Sequence, residues 1–210
     1  MAADLSVIPL NHARRRIHAA AMKLFAERGV TRISISDLAA ATGMARGTIY
    51  SHVPEIDGLF EEVAAQLAQE MIDRVVAGFA GISDPAQRMS IGVRQYIRRA
   101  HEDPPWGRFM SRFGLSPALT RSLLASEAVA DLRIGIESGR YRIGIDQLPA
   151  MVGLLAGGTL AAMLPVLDGH STWRDAGADI VELLLVALGL TREEARSLAR
   201  TELPSLAPTK

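Results

Sequence analysis

The 210-residue sequence contains no cysteine. Disulfide frameworks, thiolate zinc sites, iron–sulfur clusters and cysteine nucleophiles are therefore excluded. The chain also has no excess of charge of either sign, because 23 basic residues balance 23 acidic ones. A net charge of zero indicates no polyanionic partner unless the charges are unevenly distributed. Strand signals are nearly absent and helical spacing recurs throughout, so we expect an all-α fold.

The N-terminus does not resemble a secretory signal, so we expect a cytoplasmic protein. One segment is long enough to span a bilayer, because residues 147–167 carry no charged side chain. This segment contains Pro149 and Pro165 and is followed by Asp168 and His170, where a membrane helix prefers Trp, Tyr, Lys or Arg. A buried helix of a soluble protein is the preferred interpretation, and we expect no membrane partner.

The N-terminal part predicts three helices in succession. The first runs from about Asn11 to Arg28 and ends at Gly29, a residue type common after a helix. Ser34-Ile35-Ser36-Asp37 fits a capping box at the start of a second helix that ends at Gly43. The third, Ala45 to His52, has room for only two turns.

The helices lengthen after residue 54. Their spacing and breakers predict helices at about 56–80, 84–102, 104–113, 117–138, 146–168, 172–188 and 191–201. The second part cannot share one three-helix core with the first. We therefore predict an N-terminal domain of residues 1–54 and a larger all-helical domain of residues 55–210.

Charge is concentrated in the N-terminal domain. Residues 11–54 hold seven basic residues against Glu27 and Asp37, and 7 − 2 gives a charge of +5. Two short helices joined by a glycine-containing turn, with this basic balance, are typical of a helix-turn-helix DNA reader. An ordinary three-helix bundle, in which the short helices only pack, fits the spacing equally well.

Specific residues favour DNA binding. Arg16-Ile17-x-x-Ala20-Ala21-x-x-Leu24-Phe25-x-x-x-Gly29, then Ile33 to Ala39, then Gly43-Met44-Ala45-Arg46-Gly47-Thr48-Ile49-Tyr50-Ser51-His52-Val53, closely resemble the DNA-binding domain of the TetR/AcrR family of bacterial transcriptional repressors. The resemblance implies a homodimer, a palindromic double-stranded DNA operator, and release when a small-molecule effector enters the larger domain. It implies no cofactor.

The third helix is the expected recognition helix. Arg46 is the best base reader, because its guanidinium can pair with guanine O6 and N7. Gly47 permits close approach of the backbone, and Ser51 offers one more hydrogen bond. The resemblance implies phosphate contacts at matching positions on this helix. The complete candidate DNA-binding set is Arg14, Arg16, Ser34, Arg46, Gly47, Thr48, Tyr50, Ser51 and His52.

Three positions depart from the family pattern. Family members usually have Ser or Thr where this chain has Ala45, Phe where it has Val53, and Lys where it has Ile56. The first departure removes a helix cap and a hydroxyl, and the last removes a phosphate anchor. We expect weaker DNA binding, or a greater dependence on the arginines of the first helix.

An aromatic stripe is the candidate effector-binding element. Trp106, Phe109, Met110 and Phe113 lie at i, i+3, i+4 and i+7 of a predicted helix. Such a face either lines a ligand cavity or forms core, and the pattern does not separate the two. Further candidates for the cavity wall are Met71, Phe79, Met89, Tyr96, Leu123 and Met151. The five histidines include no i, i+4 pair, so we expect no metal site.

Two apolar helices near the C-terminus are candidates for dimerisation through a four-helix bundle about a twofold axis. Small residues recur on the first, and an apolar stripe follows the second. The predicted interface set is Gly153, Gly157, Ala161, Leu184 and Leu188. An internal core is the alternative.

Catalytic motifs are missing. The sequence has no Gly-x-Ser-x-Gly elbow, no phosphate-binding loop, no His-Glu-x-x-His and no paired carboxylates on one helical face. We therefore expect a regulator and not an enzyme. The alternative, a helical ligand-binding or adaptor protein without sequence-specific DNA binding, leaves the +5 charge unexplained.

Overall fold

The computed structural model describes residues 12–206, and this part of the chain is helical without a β-strand. The helices are α1 (His12–Arg28), α2 (Ile35–Thr42), α3 (Arg46–His52), α4 (Leu59–Ala77), α5 (Pro85–Glu102), α6 (Pro104–Phe113), α7 (Pro117–Leu124), α8 (Glu127–Glu137), α9 (Leu148–Leu167), α10 (Trp173–Ala187) and α11 (Arg192–Arg200). Short 3₁₀ turns precede α4 at Ile56–Gly58 and α9 at Ile145–Gln147. The predicted start at Asn11 lies outside the described residues.

The chain divides between Leu67 and Ala68 into two compact units. The division lies downstream of the boundary predicted at residues 54 and 55, which stays a prediction. The first turns of α4 belong to the first unit because Phe60 packs edge-to-face against Phe25 of α1, with ring centroids 5.2 Å apart.

Local sequence signals account for the start and end of α2. Ser34 accepts a hydrogen bond from the Asp37 backbone nitrogen at 3.1 Å, and the Asp37 carboxylate accepts one from the Ser34 nitrogen at 2.9 Å. This is the predicted capping box. Gly43 ends α2 in the left-handed region at φ +67°, which side-chain-bearing residues rarely adopt. The turn that joins α2 to α3 is therefore specified by these residues.

The second unit is built around α5. This helix packs against α6, α8, α9, α10 and α11. Asp84 caps its first turn and Pro85 occupies the position where a missing N–H costs nothing. The predicted helix at 117–138 is wrong, because the chain forms two helices there. Ser126 has extended backbone between α7 and α8, and its hydroxyl donates to the Leu123 carbonyl at 2.7 Å.

The long uncharged segment forms α9, and it is not surrounded by protein on all sides. The helix from Ile145 to Leu167 has a mean hydropathy of 1.9, so its length and composition would allow it to cross a membrane. It packs against α5, α6, α8 and α10. Only 33% of the most apolar stretch of this helix is buried within the single chain. An apolar surface on α9 is therefore left uncovered.

Candidate DNA-binding surface and ligand cavity

Helix α3 is anchored on one side and exposed on the other. Ile49 and Val53 are almost completely buried against the first unit's core. Arg46, Gly47 and Tyr50 lie on the outer face, and the Tyr50 residue is 56% exposed. The packing of Ile49 thus fixes which side chains of α3 face solvent.

The remaining polar residues of α3 differ in exposure and in hydrogen bonding. Thr48 is exposed and His52 is half-buried. The exposed Ser51 donates its hydroxyl to the Thr48 carbonyl at 2.8 Å. Ala45 stands at the N-cap, and no side chain caps the helix there. The first backbone amides of α3 therefore lack the hydroxyl partner that Ser or Thr would supply.

The arginines of α1 have different surroundings. Arg14 pairs with Glu62 of α4, while Arg16 donates to the Thr42 carbonyl at the end of α2, at 2.9 Å. Arg15 is exposed and, like Arg46, forms no ion pair with any residue in 12–206. No carboxylate of the described chain pairs with Arg15, Arg16 or Arg46. Of these three, Arg15 and Arg46 also make no side-chain hydrogen bond to residues 12–206.

The Ser34 side chain already makes the hydrogen bonds of the capping box. Its hydroxyl lies 2.6 Å from the Asp37 carboxylate, which also accepts from Arg28 at 2.8 Å. The hydrogen bonds from Ser34 and Arg28 lower the pKa of Asp37 to about 2. Ser34 therefore has a structural role at the start of α2, and its contact with DNA stays a prediction.

A buried histidine links α1 to α4 within the first unit. Nδ1 of the His18 ring is hydrogen-bonded to the Gln66 side chain, and Nε2 lies 3.1 Å from the Glu62 carboxylate. Burial lowers the pKa of His18, although Gln66 and Glu62 oppose this effect and Arg14 adds to it. The neutral ring is therefore favoured in the folded protein.

The second unit contains a cavity of about 140 Å³ with predominantly apolar walls. Helices α4 to α9 all contribute to its lining. Gly92 of α5 opens space in the wall, and Val75, Leu119 and Leu155 form apolar sides. A more open groove of mixed polar and apolar lining adjoins the cavity and includes Gln69, Asp73 and Arg121. It lies at the cavity's outer mouth, because the two share Ile72, Val76, Ser122, Ser126 and Glu127.

One partly buried ion pair lies in the cavity wall. Arg88 donates to the Asp131 carboxylate at 3.0 Å and to the Ile82 carbonyl at 2.7 Å. Its guanidinium also lies 5.5 Å from the centre of the Phe79 ring. Asp131 is 5% exposed, and burial raises its pKa although Arg88 opposes the shift. Sequence patterns did not single out either member of this pair.

The predicted aromatic stripe divides between cavity and core. Met110 lines the cavity, but Trp106, Phe109 and Phe113 do not. Trp106 and Phe109 are completely buried, and Trp106 packs against the Tyr96 ring with centroids 5.8 Å apart. Of the further candidates, the cavity includes Phe79, Met89, Tyr96 and Leu123 and omits Met71 and Met151. The core interpretation therefore fits most of the stripe.

The predicted dimer-interface residues also fall into two groups. Gly153, Gly157 and Ala161 of α9 are not buried, and a Cβ added at either glycine would meet no atom within 4 Å. Leu184 and Leu188 are 1% and 0% exposed. Both leucines are covered by their own unit in the single chain, so their part in the interface stays a prediction. The exposed apolar residues of this region are Leu154, Leu164 and Leu183.

Residues 12–206 contain no group of three or more His, Asp or Glu side chains that could hold a metal ion.

Comparisons with known proteins cover both units. Residues 17–63 match the model of bacterial regulatory proteins of the tetR family, and residues 84–201 match the tetracyclin repressor-like C-terminal domain. Among curated proteins, none matches this sequence.

Solved structures share the fold over most of the chain. RolR, crystallised with the ligand resorcinol, is 26% identical over 93% of this chain and 96% of its own, with a TM-score of 0.67. The fatty acid degradation regulator FadR from Bacillus halodurans is 17% identical over 88% and 100%, with a TM-score of 0.72. A tetR-family transcription regulator from Shewanella sp. PV-4 is 20% identical over 86% and 100%, with a TM-score of 0.74.

The all-α prediction and the expected N-terminal helix-turn-helix are confirmed by these matches and by the helices described above. The match over residues 84–201 alone covers more than half of the sequence. The chain belongs to the TetR family of bacterial regulatory proteins.

Proposed function

We propose that this protein is a homodimeric transcriptional repressor that binds a palindromic operator and leaves it when a small apolar or amphipathic molecule enters the cavity. Regulators of this family bind DNA and small-molecule ligands and act as dimers. The observation that carries the proposal is α3, a helix anchored by Ile49 that presents Arg46, Gly47 and Tyr50 to solvent. A cytoplasmic location agrees with this function.

Base reading is assigned to Arg46 at the start of α3. Its side chain is exposed and makes no ion pair with the described residues, so its guanidinium is available to a guanine edge. Tyr50, Thr48 and His52 are assigned to phosphate contacts, which position the helix without reading sequence. Arg15 joins Arg14 and Arg16 as a candidate phosphate contact. Because its side chain makes neither an ion pair nor a hydrogen bond to the described residues, Arg15 is the strongest of the three.

The uncovered apolar face of α9 and α10 is assigned to the dimer. Leu154 is 50% exposed and Leu183 is 60% exposed, and Gly157 leaves room for close approach of a second copy. The same face would suit a membrane, but Met151, Leu155 and Met163 on the other side of α9 are buried in the core of the second unit. A twofold four-helix contact covers the exposed side while leaving that core intact.

Effector control is assigned to the cavity. RolR, which binds the small amphipathic molecule resorcinol, is similar over nearly the whole chain and supports a small ligand here. Helix α4 contributes Phe60 and Val63 to the core of the first unit. Further along the same helix, Ile72 and Val75 line the cavity of the second unit. A ligand that binds beside α4 weakens DNA binding to the extent that it prefers the DNA-free conformation.

The test of DNA binding uses the full-length protein and the DNA upstream of its own coding sequence. Fluorescence anisotropy is expected to give a specific complex for the wild type and at least tenfold weaker binding for Arg46→Ala. Arg133→Ala, which removes an exposed arginine of α8, is the matched control and should bind like the wild type. Equal affinities for upstream and unrelated DNA would favour the adaptor function instead.

The dimer has an independent test. Leu183→Glu is expected to yield monomers in analytical ultracentrifugation, because it places two charges in an apolar contact about the twofold axis. Leu124→Glu changes a leucine of similar exposure, 56%, on α7 and should leave the dimer intact. An intact Leu183→Glu dimer would remove the α9 and α10 interface from the proposal.

A further inference from the structure

The cavity has the size of a single ring. Arg88, Gly92 and Tyr96 occupy one face of α5 at i, i+4 and i+8, so the cavity follows that helix for about 12 Å. Its volume is about 140 Å³. An apolar protein cavity of ~150 Å³ holds one benzene molecule. A ligand much larger than a substituted ring would extend into the groove at the mouth.

Most polar groups of the wall are already satisfied. The hydroxyls of Ser122, Ser126 and Thr159 donate to the carbonyls of Ala118, Leu123 and Leu155, within their own helices or turns. These groups do not need a ligand partner. The polar side chains that remain in the wall are Arg88 with Asp131, Tyr96, and the exposed Glu127 at the mouth.

Asp131 has acceptor capacity to spare. One carboxylate oxygen accepts from Arg88, and the carboxylate accepts no other hydrogen bond from residues 12–206. A carboxylate has about four acceptor sites. Burial without further donors is unfavourable, and this cost is reflected in the raised pKa of the group. A donor on a ligand therefore gains more here than it would at a solvated surface.

Tyr96 offers a second polar contact. Its ring packs against Trp106, and its hydroxyl makes no hydrogen bond to the described part of the chain. Burial raises the pKa of Tyr96 to about 12, so the hydroxyl stays protonated at neutral pH. It can donate to a ligand oxygen or accept from a ligand hydroxyl.

The charge balance of the wall disfavours anionic ligands, and its apolar surroundings disfavour cationic ones. The wall carries two acidic side chains, Asp131 and Glu127, and one basic side chain, Arg88. Arg88 already donates hydrogen bonds to Asp131 and to the Ile82 carbonyl. A carboxylate would enter with like charges around it. A cation would face Arg88 and would lose its hydration to largely apolar walls. A neutral hydroxyl supplies the missing donor and avoids both costs.

We propose that the cavity binds a neutral, single-ring, hydroxylated compound of the phenol class, whose hydroxyl donates a hydrogen bond to Asp131. The apolar walls take the ring, and Tyr96 is available to a second polar substituent. This assignment rests on the proposed effector control and specifies the chemistry of the effector.

The test compares four probes of one ring size by isothermal titration calorimetry of the full-length protein at pH 7. Phenol is neutral at this pH and is expected to bind at least tenfold more tightly than toluene, because a hydrogen bond to a charged acceptor is involved. Benzoate is expected not to bind, and benzylamine should bind no better than toluene. Equal binding of phenol and toluene, or tighter binding of either ion, would overturn the assignment.

A variant pair locates the contact. Asp131→Asn should reduce the preference for phenol over toluene to about twofold or less while toluene still binds. Asp146→Asn, an exposed position outside the cavity, is the matched control and should keep the full preference. If Asp131→Asn does not fold, the wild-type comparison of the four probes still decides the assignment.

DNA binding separates this inference from the function on which it rests. Titration of phenol into the complex with upstream DNA should release the protein. Selective phenol binding without release would support the ligand class and contradict effector control. Release by toluene and phenol at equal concentrations would support effector control and contradict the role of Asp131.

Discussion

Gly47 separates stability from DNA binding more cleanly than any other residue of α3. It is the second residue of the helix, its φ is not positive, and an added Cβ would meet no atom within 4 Å. Nothing in the folded unit therefore requires glycine at this position. Replacement of an exposed helical glycine by alanine stabilises a helix by about 0.5–1 kcal/mol.

We expect Gly47→Ala to raise the free energy of unfolding by that amount and to weaken operator binding at least tenfold. The methyl group would lie on the outer face of α3, where the backbone is proposed to approach the groove. Urea denaturation measures the first effect, and fluorescence anisotropy with upstream DNA measures the second.

The opposite substitution at an exposed site of α4 is the control. Ala65→Gly should lower the free energy of unfolding by about 1 kcal/mol and leave the affinity for DNA unchanged. Wild-type affinity of Gly47→Ala would refute close approach at this residue. A loss of stability would refute the open surroundings described here.

Three more predictions concern the first unit. Tyr50→Phe should weaken binding to specific and unrelated DNA equally, whereas Arg46→Ala should relax the preference at one base pair of each half-site; competition titrations with base-substituted operators distinguish the two. Ala45→Ser should supply the missing cap, raise the free energy of unfolding by about 0.5–2 kcal/mol in urea titrations and tighten DNA binding. Burial lowers the pKa of His18, so as pH falls the unfolded chain protonates this histidine before the folded chain does. The stability that depends on the neutral ring is therefore present above the ordinary histidine pKa of about 6.5 and is lost as pH falls below it. His18→Gln should reduce that loss between pH 7.5 and 5.5, and an unchanged pH dependence would remove His18 as its source.

Local signals predicted the N-terminal unit well. The capping box at Ser34 and the glycine at residue 43 act over a few residues, so their effect can be read without knowledge of the fold. The break between α7 and α8 was missed because Ser126 is its main signal. A serine is compatible with a continuous helix as well as with a cap.

Periodicity predicted which residues share a helical face but not what covers that face. Leu184 was assigned to the dimer interface from its spacing, and Trp106 was left between cavity wall and core. The other helices of the second unit cover both side chains. The Arg88–Asp131 pair was missed for a related reason. The two residues come together through the packing of α5 against α8, and no sequence pattern marks them as partners.

The most direct test of the proposed repressor is the equilibrium affinity of the full-length protein for its upstream DNA and for an unrelated duplex, measured over a series of salt concentrations. We predict a palindromic site bound about 10³-fold or more tightly than the unrelated duplex, with both affinities falling linearly as the logarithm of salt concentration rises. Equal affinity for the two duplexes at every salt concentration would contradict sequence-specific reading by α3.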